Sequence, residues 1–222
     1  MSVRVVGIAG GTASGKSTVA RLIAGRLGPR CLLVAHDRYY HSASPDTNFD
    51  HPDALDTAHL LEDLARLRAG TATRLPVYDF ARHARAAPER WDPVEPRPVL
   101  LVEGILILAV PALREALDLA VFVDAPADLR LARRIRRDVS GRGRTVHSVL
   151  TQYERTVRPM HEAWVEPSRC HAHLVLDGTS SASAGAARVI ASIEAGGVAA
   201  GGGEDTQQPA RRDDPGVGGR SP

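Results

Sequence analysis

One octet constrains this chain more than any other feature: Gly10-Gly11-Thr12-Ala13-Ser14-Gly15-Lys16-Ser17, between an apolar β-branched run and an amphipathic helical pattern. Val3 to Ala9 reads as a strand buried on both faces, and Lys16 to Leu27 as a helix with Val19, Leu22, Ile23 and Leu27 at helical spacing. Glycines let consecutive backbone N–H groups turn inward and the helix N-terminus adds a positive dipole, so an anion is the natural occupant. The spacing GxxxxGK[ST] in this strand-to-helix context points to the phosphates of a nucleoside triphosphate. In that reading the backbone from Gly10 to Thr18 cradles the phosphates, Lys16 reaches the outer ones and the Ser17 hydroxyl holds Mg²⁺. The alternative is a glycine-rich turn with a chance Lys-Ser pair. Against it stands the use of lysine: Lys16 is the one lysine among 28 basic residues. A G- and C-rich genome explains the arginine excess; a flexible point charge at the phosphates explains the exception.

The remaining pattern extends the same architecture. Cys31–Ala35, Val99–Glu103, Ala120–Asp124 and His173–Leu176 read as short buried strands. Helical patterns at Ala58–Arg68, Pro126–Val139, Ser148–Val157 and Ala184–Glu194 alternate with them. That rhythm predicts an α/β fold, a parallel sheet covered by helices on both faces. The proline-rich stretch 71–98 breaks the rhythm and is expected to be an inserted hairpin and loop. The globular domain is expected to span 1–195. From residue 196 to 222 the chain holds eight glycines and three prolines, with almost no large apolar residues, and is expected to be disordered.

Composition excludes several classes. The longest apolar run, Val99 to Val110, is 12 residues and is broken by Glu103, too short for a membrane span. The N-terminal run lacks the features of a secretory signal. Cys31 and Cys170 are far apart and lack metal-ligand spacing. His41, His51, His59, His147, His161, His171 and His173 form no HxxxH or HExxH pair within a predicted helix, so no metal is assigned to them. A cytoplasmic protein with no membrane partner is the expectation.

A phosphate loop alone does not separate a kinase from a switch or a motor. Two acids narrow the choice. Asp37 follows the strand Cys31–Ala35 and Glu103 ends the strand Val99–Glu103, and in an open parallel sheet such strand ends converge on the ligand crevice. Each alone could be a helix cap or a solvated charge; together they suit metal binding and proton abstraction.

Six segments then carry a resemblance: His36-Asp-Arg-Tyr-Tyr40, Asn48-Phe-Asp-His-Pro-Asp-Ala-Leu-Asp56, Pro76-Val-Tyr-Asp-Phe80 with His83 and Arg85, Glu103-Gly-Ile-Leu106, Arg133-Arg-Ile-Arg-Arg-Asp138 and Arg142-Gly-Arg144. In order, from about Val3 to Gly178, they resemble the uridine/cytidine kinase family. Arg38 departs from a usual small serine and Leu55 from an aromatic. The resemblance implies a P-loop kinase fold that transfers the γ-phosphoryl group of ATP or GTP to the 5′-hydroxyl of uridine or cytidine. It makes Asp37 the proton acceptor, with Ser17, Glu103 and Asp37 around Mg²⁺. Asp50 and Arg137 would hold the ribose hydroxyls, Tyr78 and His83 the base edge, and Phe49 and Phe80 the ring faces; Gln152 matches a pocket position. The arginine-rich stretch 126–147, with Arg134, Arg142 and Arg144, would be a lid over the phosphates. The family's homotetramers imply a homo-oligomer.

Bland readings remain beside these. The arginines could be a solvated face or a nucleic-acid patch, although no nucleic-acid partner is expected, and the aromatics could be ordinary core. Another kinase of the same superfamily, acting on ribulose 5-phosphate or pantothenate, is the rival enzyme; a nucleotide-dependent RNA-binding regulator is the rival non-enzyme.

Overall fold

The computed structural model describes residues 3–42 and 47–196. The tail expected from 196 onward lies, beyond Gly196 itself, outside the described residues. Among the described residues the chain forms nine strands interspersed with helices. Five strands, β1 (Arg4–Ala9), β2 (Cys31–Ala35), β7 (Val99–Glu103), β8 (Leu119–Asp124) and β9 (Leu174–Asp177), form one sheet in the order β2-β7-β1-β8-β9. Every pairing in it is parallel.

Strand alternation divides the core in two. Val6 and Ile8 of β1 pack with Val19 and Ile23 of α1 (Lys16–Leu27) and with Val189 of α8 (Ala182–Glu194). Val5 and Ala9 face the opposite layer, with Leu60, Leu64 and Leu67 of α2 (Thr57–Arg68) and Leu113 of α3 (Pro111–Glu115). The sheet is therefore covered on both faces, as the buried-strand pattern requires.

The 71–98 stretch forms two small antiparallel pairs. β3 (Thr73–Leu75) pairs with β6 (Asp92–Val94), and between them β4 (Tyr78–Asp79) pairs with β5 (Ala84–Arg85).

Two helices run further than their sequence pattern predicts. α4 spans Ala127–Arg142, so Arg142 is its last residue rather than part of a loop. Its guanidinium meets Asp138 one turn back, 3.3 Å away, which supports the added turn before Gly143 caps it in the left-handed region. α5 (Val146–Gln152) does not stop near Pro159. Helix continues through α6 (Arg158–Met160) and α7 (Glu166–Ser168), with π-helical turns at Tyr153–Val157 and His161–Val165. Pro159 and Pro167 each lack the N–H that would bond one turn back, and the widened turns preceding them accommodate the loss.

Candidate active site

The phosphate loop leaves β1 and enters α1 through Gly15, whose φ of 107° is open to a residue without Cβ. Ala13 takes the same left-handed region at φ 59°, a strain that belongs with a functional turn. A groove of about 360 Å³ lies over the loop, lined by Lys16, Ser17, Arg21, Arg133, Arg137 and Gly178, among others. Arg133 does more than coat a solvated face: its guanidinium donates to the Gly178 carbonyl at 2.9 Å and the Ser14 carbonyl at 3.4 Å, joining the phosphate loop to the end of β9.

Beside the loop the two acids converge as strand topology predicts. Ser17 Oγ donates to Glu103 Oε2 at 3.0 Å. Asp37 lies in the 3₁₀ turn His36–Tyr39 that follows β2. Its carboxyl keeps a solvent-exposed surface but is crowded within the cleft, and four charges act on it. Withdrawal from bulk water raises its pKa, Lys16 lowers it, Glu103 raises it again, and Arg142 and Arg137 lower it; the net shift is upward from the ordinary 3.8. The turn can lie this close to β7 because residue 104 is glycine: a Cβ there would be 2.6 Å from His36 Cβ. The His36 ring is buried with neither nitrogen hydrogen-bonded, and burial lowers its pKa to about 4.

Ser17, Glu103 and Asp37 form a set of hard oxygen donors, which suits Mg²⁺. Among the described residues no group of three or more His, Cys, Asp or Glu side chains could hold a metal ion alone.

On the third side stands α4, whose buried stripe is Arg130, Arg134 and Asp138, one turn apart, rather than an apolar seam. Asp138 is fully buried and receives Arg137 Nε at 2.8 Å, Arg142 Nη1 at 3.3 Å and Arg134 Nε at 3.6 Å. Arg134 also donates to Thr12 Oγ1 and to Gln152 Oε1, both at 2.9 Å. Arg144 donates to the same Gln152 oxygen. Gln152 is thus occupied in holding two arginines.

The acceptor-side residues also gather. Tyr40 packs edge-on to Phe49 at 5.2 Å and tilted to Tyr78 at 5.5 Å; Tyr78 meets Phe80 at 5.1 Å and Phe49 meets His83 at 5.3 Å. The Tyr78 hydroxyl is buried without a partner, whereas Phe80 is 59% exposed. His83 sits at φ 50°, again a strained backbone. Asp50 accepts from Thr156 Oγ1 at 3.1 Å and feels the charge of Arg134. This divides Arg134 and Arg137 differently from the sequence expectation. The three-residue step along α4 turns Arg134 toward Asp50 and the phosphate loop, and Arg137 toward the groove above Lys16. Tyr40 joins the halves: it follows the turn that carries Asp37, its hydroxyl donates to the Phe49 carbonyl at 2.9 Å, and its ring packs against Phe49 and Tyr78.

Sequence reasoning gave no individual site role to four contributors: Thr156, Tyr40, Arg130 and His161. Arg130 is buried, with Nη2 2.9 Å from His161 Nε2. In a chain this rich in arginine nothing local distinguished Arg130 from its neighbours. Thr156 and His161 lie beyond or at the edge of the predicted helix, on the π-helical turns.

Residues 5–183 match the model of the phosphoribulokinase/uridine kinase family. A uridine kinase of Chloroflexus aggregans is 47% identical over 199 residues, covering 86% of this chain and 94% of its own. A uridine kinase of Alkaliphilus metalliredigens is 46% identical over 179 residues, covering 77% and 85%. In fold, phosphoribulokinase from Rhodobacter spheroides superposes with a TM-score of 0.58 at 14% identity, covering 82% of this chain and 74% of that one. With most of its length matched by that family model and by relatives above 40% identity, this chain belongs to the phosphoribulokinase/uridine kinase family.

Proposed function

We propose that the chain transfers the γ-phosphoryl group of ATP or GTP to the 5′-hydroxyl of uridine or cytidine, forming UMP or CMP, as in pyrimidine salvage. The observation that carries the reading is geometric: Ser17 of the phosphate loop meets Glu103 at 3.0 Å, Asp37 lies on the adjoining turn, and Tyr40 directly after that turn donates to the Phe49 carbonyl at 2.9 Å and packs against Phe49 and Tyr78. It supports a pocket in which a nucleoside's primary alcohol lies near a carboxylate at the edge of the phosphate loop.

In this mechanism Asp37 accepts the proton of the 5′-hydroxyl as its oxygen bonds to the γ-phosphorus and the bridging bond to the β-phosphate breaks, releasing the nucleoside diphosphate. Lys16 and the arginines that Asp138 collects balance charge on the transferring oxygens. Mg²⁺ would be held by the Ser17 hydroxyl and, through water, by Glu103 and Asp37, and when bound supplies further charge neutralisation across the phosphates. Asp50, held by the Thr156 hydroxyl, accepts from the ribose hydroxyls. The Tyr78 hydroxyl and His83 meet the base edge, with Phe49 and Phe80 at the ring. Imidazole donates from one nitrogen and accepts at the other, so His83 suits both the uracil carbonyl and the cytosine amino group. Among the described residues no helix is long and apolar enough to cross a membrane; a cytoplasmic homo-oligomer, tetrameric as the resemblance implies, without a nucleic-acid partner, completes the reading.

A panel of nucleosides, ribulose 5-phosphate and pantothenate, each with ATP and GTP, tests it. Uridine and cytidine should react with comparable kcat/KM. A loss of more than about 100-fold for either defeats the dual specificity, and turnover of ribulose 5-phosphate or pantothenate in their place defeats the nucleoside reading.

A further inference from the structure

Two arginines bind the 71–98 insertion to the turn that carries Asp37, from opposite directions. Arg38, the residue after Asp37, reaches outward: Nε donates to the Pro76 carbonyl at 2.7 Å, and Nη2 meets the Leu75 carbonyl at 3.4 Å and the Asp92 carboxylate. Leu75 and Asp92 are register partners, so one guanidinium grips both strands of the β3–β6 hairpin at the end from which the chain runs on to Tyr78. Arg85 reaches back. Nη2 donates to the Tyr39 carbonyl at 2.9 Å, Nε to the Tyr40 carbonyl at 3.2 Å and Nη1 to Asp56 Oδ2 at 3.0 Å. Arg85 is itself the register partner of Tyr78. The turn 36–39 therefore lies between two clamps whose far ends both lead into the aromatic cluster.

We propose that Arg38, acting with Arg85, is a positioning residue that locks the insertion to the Asp37 turn, fixing where the acceptor's hydroxyl lies relative to the carboxylate. Arg38 sends its polar atoms into the insertion rather than the cleft. Its planar fork suits two carbonyls and a carboxylate at once, which a lysine cannot reproduce. A misplacement of about 1 Å between reacting groups costs on the order of 10²-fold in rate, so a clamp at this joint acts on the reaction without touching substrate. The proposal rests on the reading of Asp37 as the base and of the insertion as the acceptor pocket.

Arg38→Ser, Arg38→Lys and Asp92→Asn test it in the full chain, by steady-state kinetics and by hydrogen exchange without substrate. In Arg38→Ser, exchange across 73–94 should quicken while α1 and β1 keep their protection. KM for uridine should rise roughly tenfold and kcat fall, with KM for ATP within about twofold of wild type. Arg38→Lys and Asp92→Asn, each leaving part of the grip, should fall between. Unchanged exchange in the insertion overturns the clamp. So does looser exchange with an unaltered KM for uridine, or a uniform fall in both substrates' parameters matching a smaller folded fraction. If the wild-type protein does not phosphorylate uridine, the functional reading is what fails, and the exchange measurement still decides whether the clamp exists.

Discussion

At Asp37 opposing influences leave a carboxylate that is harder to ionise than an ordinary aspartate: crowding within the cleft, which withdraws it from bulk water, and Glu103 outweigh Lys16, Arg142 and Arg137. A base must be deprotonated to work, so kcat/KM should fall as pH drops through this raised pKa, and the acid limb should lie above the usual 3.8. Asp37→Asn should abolish that limb; an identical acid limb in the variant assigns it to another group. His36 contributes a second dependence, on stability. Its folded pKa of about 4 lies below the ordinary 6.5, so the unfolded chain binds the proton first. Stability is then undiminished above 6.5 and declines as pH falls from 6.5 towards 4. His161, lowered by burial and by Arg130, acts in the same direction. Thermal melts should show this decline, with a shallower slope in His36→Gln; equal slopes would contradict the assignment. Lys16 and Asp37 were legible in the sequence because a motif and a strand end single them out. The orphaned His36 ring was not, because its burial comes from β7 and Gly104, far away in the chain.

Among the elements, α4 departs most from ordinary packing. Burying Arg130, Arg134 and Asp138 costs desolvation that apolar residues would not incur; Asp138 offsets it by pairing with the guanidiniums of Arg134, Arg137 and Arg142, and Arg130 by donating to the Ala125 carbonyl at 2.9 Å. Asp138→Asn should therefore leave like charges crowded together. We expect a loss of about 3 kcal/mol in urea denaturation and a fall of roughly tenfold or more in kcat as Arg134, Arg137 and Arg142 lose their anchor. A variant with wild-type midpoint and rate would show that Asp138 organises nothing. The arginine run announced a phosphate-facing helix, yet which arginine faces the phosphate loop and which faces Asp50 depends on the rotation of α4 against its neighbours. The sheet strands were legible almost to the residue, since continuous Val and Leu runs have few other uses. The helix through Pro159 and Pro167 was not, because proline predicts a break and a π-helical turn leaves no local signature.

At the scale of the molecule, the parallel sheet sets Asp37 and Glu103 beside the phosphate loop, α4 supplies the cations, and the insertion brings an aromatic wall to the same cleft. In the proposed reading the sheet and loop carry the phosphoryl-transfer chemistry, and the insertion and the Asn48–Asp56 block decide the acceptor. The central claim is that Asp37 takes the proton from a nucleoside's 5′-hydroxyl. The direct measurement is ³¹P NMR of the product from uridine and ATP, with kcat and uridine affinity for the wild-type chain and Asp37→Asn. The account predicts UMP phosphorylated at the 5′ position, with a kcat for Asp37→Asn about 10²–10⁴-fold lower and uridine affinity nearly unchanged. Phosphorylation at another hydroxyl, or an undiminished kcat in the variant, would contradict it.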